Sequence, residues 1–196
     1  MAGTQQVRDV GTAQRALDVA QALAQTRGFN GFSYADIALE LGMTKASLHY
    51  HFPSKAELGS ALVARYAERF AGALAAIDAS EPTAREALAA YAGLYRRVLE
   101  GDRMCLCGIL AAEYRTLQQP MRDAVTGFFD ANERWLTGAL ERGQVDGGVR
   151  FAGSARESAR LILAGLEGAM LVARAYGDST RFESAADGLL ATFAAR

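Results

Sequence analysis

The sequence predicts an all-α fold of about nine helices, four of them within residues 1–77. Ala, Leu, Glu and Arg dominate the composition, whereas Val, Ile and Thr are sparse and only 3 of the 196 residues are proline. The first group of residues favours helices and the second favours strands. Because 51% of the residues are hydrophobic, the chain can bury a sizeable core without disulfides or metals. We therefore expect almost no strand.

Hydrophobic spacing and capping residues predict the first two helices. Residues 13–24 carry apolar side chains at three- and four-residue spacing, which indicates a helix with one buried face. Gly28 supplies the end of that helix. Ser33 and Asp36 then form a capping-box pattern at the start of a short second helix, which Gly42 ends.

The third and fourth helices follow the same rules. Thr44 is placed as the N-cap of a helix from Lys45 to Phe52, and Pro53 terminates it. Ser54 and Glu57 repeat the capping box and open a longer helix. That helix carries an apolar residue at every fourth position: Leu58, Leu62, Tyr66, Phe70 and Leu74.

A break at residues 79–83 is the candidate domain boundary. Pro82 fits the first turn of the helix that follows it. Beyond this point the same reasoning predicts five further helices, at about residues 83–100, 103–116, 120–142, 154–176 and 180–194.

The charge and the cysteines limit the class of protein. With 21 basic and 22 acidic residues the net charge is -1, so binding to nucleic acid would need a local basic surface. Two cysteines separated by a single residue do not form a disulfide framework, and two histidines do not form a metal cluster. Residues 1–9 do not have the pattern of a signal peptide, and residues 161–175 are too short and too charged to span a bilayer. We expect a soluble protein of the reducing cytoplasm, without cofactor or metal.

The third predicted helix supplies a local basic surface. Two short helices joined by the tight turn at residues 42–44, with a third helix in front, form a helix-turn-helix, whose second helix enters the major groove of DNA. Between Leu41 and Lys55 there are two lysines and two histidines but no acidic residue. The alternative is that these helices are ordinary core elements of a bundle with solvated polar residues.

The segment that spans these helices resembles the DNA-binding signature of the tetracycline-repressor (TetR) family. Its sequence from Phe32 to Lys55 is FSYADIALELGMTKASLHYHFPSK, and the similarity covers about 45 residues, from Leu17 to Leu62. The resemblance implies a helix-turn-helix domain at residues 1–53, a connecting helix at 54–78, and an effector-binding and dimerisation domain at 79–196. Residues beyond the signature agree with the family only in length, helix number and position, so they indicate an architecture but no ligand.

Carried over residue by residue, the resemblance implies a set of DNA contacts. The side chains at base edges are Lys45, Ala46, Ser47 and His49, and those at phosphates are Tyr34, Thr44, Tyr50, His51 and Lys55. Lysine can donate to guanine, serine to several bases, and alanine can contact a thymine methyl group. His49 stands where many members have tyrosine, so we expect its place in the groove but derive no base preference.

Small residues mark the predicted helix at residues 154–176 as a dimer interface. They are Ala164, Gly165, Gly168, Ala169 and Ala173. Their spacing lets another helix approach closely, although small residues also pack inside a monomer. By the resemblance this helix and the last one form a four-helix interface with a second copy of the chain, and we expect Ala164, Gly165, Gly168 and Ala169 there. Two-fold operator DNA also needs a dimer.

Apolar and aromatic residues of the second domain lie on helices that surround a ligand cavity in the family. The candidate residues are Tyr91, Leu94, Tyr95, Val98, Cys105, Ile109, Phe128, Trp135 and Met170. Each of them can equally be ordinary core. Their chemistry suggests a small apolar, amphipathic or electrophilic effector.

Cys105 and Cys107 leave two interpretations open. Side chains two residues apart on a helix point about 200° apart, so a disulfide between them is unfavourable. Both can be inert buried cysteines. Alternatively, a helix N-terminus and Arg103, with Arg174 as a further candidate, activate Cys105 toward oxidants or electrophiles, as some members with a cysteine at this place suggest.

The sequence lacks catalytic patterns. Both histidines lie in the predicted recognition helix, and no His-Glu-x-x-His, Gly-x-Ser-x-Gly or phosphate-loop pattern occurs. We expect no enzyme and no catalytic residues, but a transcriptional regulator, most simply a repressor that an effector releases from its operator. The alternative is a helical dimeric protein-interaction module that does not bind DNA, which the acid-free helix argues against.

Overall fold

Nine α-helices make up most of the residues that the structure describes. The computed structural model describes residues 2–80 and 82–195, without the side chains of residues 2–10. The helices are α1 (Ala2–Arg27), α2 (Tyr34–Leu41), α3 (Lys45–His51), α4 (Lys55–Ala79), α5 (Ala84–Glu100), α6 (Leu106–Ala112), α7 (Gln119–Val145), α8 (Ala155–Tyr176) and α9 (Thr180–Ala191). Within these residues the only β-type pairing is one isolated bridge between Val149 and Ala194. The predicted all-α class and the number of helices are confirmed.

The main departure from the predicted elements is around α6. The sequence predicted one helix over residues 103–116, whereas the structure has α6 at Leu106–Ala112 and a separate 3-10 turn at Tyr114–Thr116. Residues 102–105 do not continue the preceding helix, and Asp102 has a φ of 52°. Part of the predicted break at residues 79–83 concerns Glu81, which lies outside the described residues.

Local capping explains most helix boundaries. Ser33 and Asp36 form the predicted capping box of α2, and the left-handed Gly42 ends that helix with φ 62°. The Thr44 side chain accepts from Ser47 N at 3.2 Å and so begins α3 as predicted. Ser154 and Glu157 form a further capping box at the start of α8. Each of these contacts joins residues three apart, which is why sequence alone could predict them.

The chain forms two compact units. The first unit comprises the residues up to 66 together with residues 106–125. Inside it α1 packs against α2, α3 and α6. Leu48 is the buried residue of α3 and is 1% exposed, so one side chain anchors this short helix to the core. The other residues of α3 are left at or near the surface.

The second unit comprises residues 67–105 and 126–196. Its main contacts are between α8 and α9, and α5 packs against both. Tyr91 and Tyr95 of α5 are almost completely buried, as are Leu166 and Met170 of α8. Among the described residues, no helix combines the length and the apolar character that crossing a membrane requires.

Candidate functional site

The exposed face of α3 is the first candidate site. Lys45, Ala46, His49 and Tyr50 are exposed, with Tyr50 at 74%, and the N-cap Thr44 is exposed beside them. Ser47 and His51 are half-buried. The structure therefore places the predicted base-edge residues on one short helix that has a single buried anchor. Such a helix can enter a groove without disturbing the core.

Tyr34, predicted at a phosphate, is buried and makes a contact within the fold. It is 8% exposed, and its hydroxyl donates to the carbonyl oxygen of Phe52 at 2.7 Å. Burial, with a smaller effect from Glu57, raises the pKa of Tyr34 to about 12. Phe52 is the C-cap residue of α3. Tyr34 thus joins the start of α2 to the end of α3, and its only donated proton is already in use.

The ring of His49 is turned toward the same junction. It lies 4.6 Å from the Tyr34 ring, centroid to centroid, and its Nδ1 is 3.2 Å from the carbonyl oxygen of Pro53. A carbonyl oxygen can only accept, so Nδ1 carries the proton in this contact. In the neutral imidazole Nε2 is then an acceptor, which favours a base that presents a donor.

Lys55, also predicted at a phosphate, points into the first unit. Its ammonium group lies over the rings of Phe29 and Phe32, 4.8 and 4.4 Å from their centroids, and donates to the carbonyl oxygen of Phe32. Burial lowers the pKa of Lys55, while Glu113 acts in the opposite direction. The contacts fix α4 to the turn that follows α1. As with Tyr34, the structure gives this side chain a role within the fold that the sequence did not predict.

Glu113 contributes to this region although the sequence did not predict a role for it. Its Oε2 accepts from the backbone N–H of Phe29 at 2.9 Å and of Asn30 at 3.2 Å. Gly28, at φ 84°, leaves room for this carboxylate, because a Cβ there would collide with Glu113 Oε1. These partners are more than 80 residues apart, so no local pattern announces the contact. The segment after α6 thereby holds the turn between α1 and α2.

An apolar stripe on α8 is the second candidate site. Leu161, Leu171 and Val172 are each more than half exposed, and Ala164 and Gly168 lie between them at helical spacing. Exposed large apolar residues grouped in this way are typical of an interaction surface.

The predicted small residues of α8 do not all share that face. A Cβ on Gly168 would meet no atom within 4 Å, so this position is open. A Cβ on Gly165 would lie 2.6 Å from Leu189 of α9 in the same chain. Close packing within the chain therefore explains a glycine at position 165, and its assignment to the dimer interface stays a prediction. Ala164 is exposed and Ala169 is half-buried.

An aromatic cluster in the second unit contains four of the predicted effector residues, Tyr91, Tyr95, Phe128 and Trp135. Tyr91 stacks on Trp135 with 5.5 Å between centroids and 18° between planes, and Phe70 contacts Tyr91, Tyr95 and Phe128 edge-on. Met170 is fully buried in the same unit, and Val98 is half-buried. Ile109 lies on α6 and belongs to the first unit. The sequence did not predict Phe70 for this cluster.

Polar groups run through the aromatic cluster. Tyr91 Oη donates to Asn132 Oδ1 at 2.9 Å and is 3.0 Å from Tyr95 Oη. Asn132 in turn donates to the carbonyl oxygen of Phe128 at 2.8 Å. Burial raises the pKa of both tyrosines. This cluster therefore combines aromatic rings with hydrogen-bonded polar groups.

Cys105 lies beside a carboxylate, which alters the prediction for its chemistry. It is 1% exposed, immediately precedes α6, and donates a hydrogen bond from its thiol to Glu167. When it is ionised, the hydrogen-bonded carboxylate of Glu167 opposes the formation of a second negative charge on the Cys105 thiol. Arg174, expected to assist the thiolate, has its Nη1 3.4 Å from the carbonyl oxygen of Asp102. Cys105 is buried, as one of the two interpretations expects, and its reactivity stays a prediction.

Comparison with known families identifies both parts of the chain. Residues 16–62 match the family of bacterial regulatory proteins called the tetR family. Residues 82–189 match the tetracyclin repressor-like C-terminal domain. None of the proteins with a curated functional description matches the sequence.

Solved structures agree with these matches. A TetR-family transcriptional regulator from Agrobacterium tumefaciens is 34% identical, with a TM-score of 0.92 over 95% of this chain and 100% of its own. A TetR transcriptional regulator from Legionella pneumophila is 33% identical, with a TM-score of 0.79 over 91% of this chain and 95% of its own. The reduced form of Escherichia coli NemR, 24% identical, has a TM-score of 0.81 over 94% of this chain and 98% of its own, and supports the fold alone. Since the two family matches extend over most of the sequence, the chain belongs to the TetR family of DNA-binding transcriptional regulators.

Proposed function

We propose that this protein is a homodimeric repressor that binds a two-fold operator through α3 and is released from it by a small molecule. The observation that carries the proposal is the composition and exposure of α3. Between Leu41 and Lys55 no acidic residue occurs, and Lys45, Ala46, His49 and Tyr50 are exposed around a single buried anchor. An acid-free exposed helix is suited to the negative potential of a DNA groove.

Within α3 the residues divide between bases and phosphates. We assign Lys45, Ala46, Ser47 and His49 to base edges in the major groove, and Thr44, Tyr50 and His51 to the phosphates. Tyr34 and Lys55 act on DNA only indirectly in this proposal, by holding the ends of α2, α3 and α4 in place. Their hydrogen bonds to the carbonyl oxygens of Phe52 and Phe32 support that assignment.

The apolar stripe of α8 supports the dimer. Two copies of α3 must face successive major grooves on one side of the duplex, about 34–36 Å apart, which requires a two-fold axis. Burying Leu161, Leu171 and Val172 against the same residues of a second copy forms a self-complementary interface and removes the exposed apolar surface. Gly168 lets the two helices approach closely.

The second unit is the proposed sensor. Its aromatic cluster combines stacking surfaces with a few fixed polar groups, which is typical of small-molecule sites. We place the effector-binding and dimerisation domain at residues 79–196, the helix-turn-helix domain at 1–53 and the connecting helix at 54–78. We assign the chain no catalytic step.

Selection of DNA sequences in vitro tests this function. Randomised duplexes retained by the wild-type protein should converge on two inverted half-sites. Lys45→Ala should weaken binding to the selected site and relax the preference at one base position, whereas Arg115→Ala, an exposed change in the same unit away from α3, should leave binding unchanged. Enrichment of no sequence over the starting pool would contradict the proposal and favour a helical dimer that recognises another protein.

A further inference from the structure

Glu167 places a carboxylate with an unmatched oxygen in the interior of the second unit. Its Oε1 is buried, and none of the described residues donates to it. Cys105 donates to the same carboxyl group, and burial nevertheless raises the pKa of Glu167 to about 7. A buried carboxylate oxygen that has lost its hydration without gaining a donor is unfavourable. The position therefore calls for a partner.

The neighbouring hydroxyl and thiol groups cannot supply that partner, because their protons are already donated. Tyr91 donates to Asn132 Oδ1, which is only an acceptor. The bond between the two tyrosines must then use the proton of Tyr95. The single proton of Cys105 is directed to Glu167 itself. The two hydroxyls and the thiol have no further proton to donate, so the missing donor is a group other than these.

The surroundings of the carboxylate are aromatic. Glu167 and Cys105 both act electrostatically on Tyr91 and Tyr95, which places the carboxylate close to those rings. Trp135 stacks on Tyr91, one member of this tyrosine pair. Ring faces attract cations through their quadrupole, and the attraction is stronger where water is excluded.

Provided that the second unit binds an effector as proposed above, we propose that this effector is an aromatic or alkyl compound with a protonated amine or amidinium group, which pairs with Glu167. A neutral donor would satisfy Oε1 but leave the charge of this half-buried carboxylate uncompensated. A cationic donor satisfies both, and charge-assisted hydrogen bonds are the stronger kind. An anionic effector would add a second negative charge beside the carboxylate and is disfavoured.

Trp135 provides a direct measurement, because it is the only tryptophan of the chain and lies against Tyr91. Phenylbutylamine, phenylbutanol and phenylbutyrate have similar size and shape but carry a cation, a neutral hydroxyl and an anion. Each is titrated into the full-length protein at pH 8, where Glu167 is ionised, and followed by Trp135 fluorescence. We expect the amine to bind at least about tenfold more tightly than the alcohol, and the butyrate most weakly.

Two isosteric variants locate the charge. Glu167→Gln should lower the affinity for the amine about tenfold and leave that for the alcohol unchanged. Asp78→Asn is the matched control, since Asp78 is an exposed carboxylate that accepts from Trp135 Nε1 at 2.8 Å. This variant should keep the preference for the amine. Equal affinities of wild-type protein for amine and alcohol, or a preference lost in Asp78→Asn but kept in Glu167→Gln, would overturn the proposal.

The fluorescence titration does not require DNA, so it is independent of the proposed repressor role. Binding of the amine with no selected operator would contradict the repressor function and leave the Glu167 site standing. A selected operator together with equal binding of amine and alcohol would contradict the Glu167 site and leave the repressor function standing.

Discussion

Replacing Tyr34 by phenylalanine separates its two possible roles, a contact to DNA or a tie within the fold. The substitution removes only the hydroxyl, which donates to the Phe52 carbonyl at 2.7 Å, and keeps the ring that lies 4.6 Å from His49. Tyr34 and Phe52 are 8% and 9% exposed, so water cannot readily replace the lost donor. A buried acceptor left without a partner costs about 1–3 kcal/mol.

We expect Tyr34→Phe to lower the free energy of unfolding by about 2 kcal/mol. For a chain of this length that corresponds to a Tm lower by roughly 4–8 °C. Thermal and urea unfolding, followed by circular dichroism at equal protein concentration, measure both quantities. Equal concentrations are needed because the stability of a dimer depends on concentration.

Tyr50→Phe is the matched control, because Tyr50 lies on α3 with 74% of its surface exposed. This change should leave the free energy of unfolding within about 0.5 kcal/mol of the wild-type value, as surface substitutions usually do. If Tyr50 contacts a phosphate, the same change weakens operator binding. A Tyr34→Phe protein with wild-type stability but reduced DNA affinity would refute the reasoning and return Tyr34 to the phosphate contacts.

Four further results are expected. Glu113→Ala should lower the free energy of unfolding, measured by urea unfolding, by about 1.5–3 kcal/mol, because the N–H of Phe29 loses a charged acceptor. Glu68→Ala, a change at an exposed glutamate, should leave this free energy unchanged. Gly168→Leu should give a folded monomer by sedimentation, since its Cβ has free space within the chain, and an intact dimer would exclude α8 from the interface. Lys45→Ala should cost about 1–3 kcal/mol of operator binding in a mobility-shift titration, and unchanged affinity would exclude Lys45 from the bases. The pKa of Glu167 in the folded protein is about 7, above the ordinary 4.5, so the stability that this shift contributes is complete below pH 4.5 and is lost as the pH rises to 7. The urea midpoint of the wild-type protein should therefore fall between pH 4.5 and 7 relative to that of Glu167→Gln. Parallel pH curves for the two proteins would refute the shift.

The helices and their ends were predictable because their causes are local. Ser33 bonds within three residues of itself, and Gly42 ends α2 by its own backbone conformation. The α6 region was mispredicted for the opposite reason. Residues 103–105 have a helix-compatible composition, but Met104 and Cys105 are buried in the second unit before α6 begins. Tertiary burial there overrode local preference.

The candidate sites divide in the same way. Lys45 and His49 are exposed because α3 is short and has one buried apolar residue, Leu48, and both features could be predicted from the sequence. Lys55 carries the positive charge that suits a phosphate contact, yet its ammonium group lies over two aromatic rings, those of Phe29 and Phe32. Residue type gave the chemistry of that side chain but not its direction.

By itself the sequence determined the helical class, the order of helices, the caps and the helix-turn-helix with its acid-free face, because each depends on residues within a few positions of one another. Only the tertiary structure decided that Glu113 holds the turn after α1, that Gly165 accommodates Leu189, and that Glu167 meets Cys105 inside an aromatic cluster. These contacts join residues 24 to 84 positions apart. No hydrophobic period or capping pattern encodes such distances, since the free energy that selects them arises only when the helices pack together.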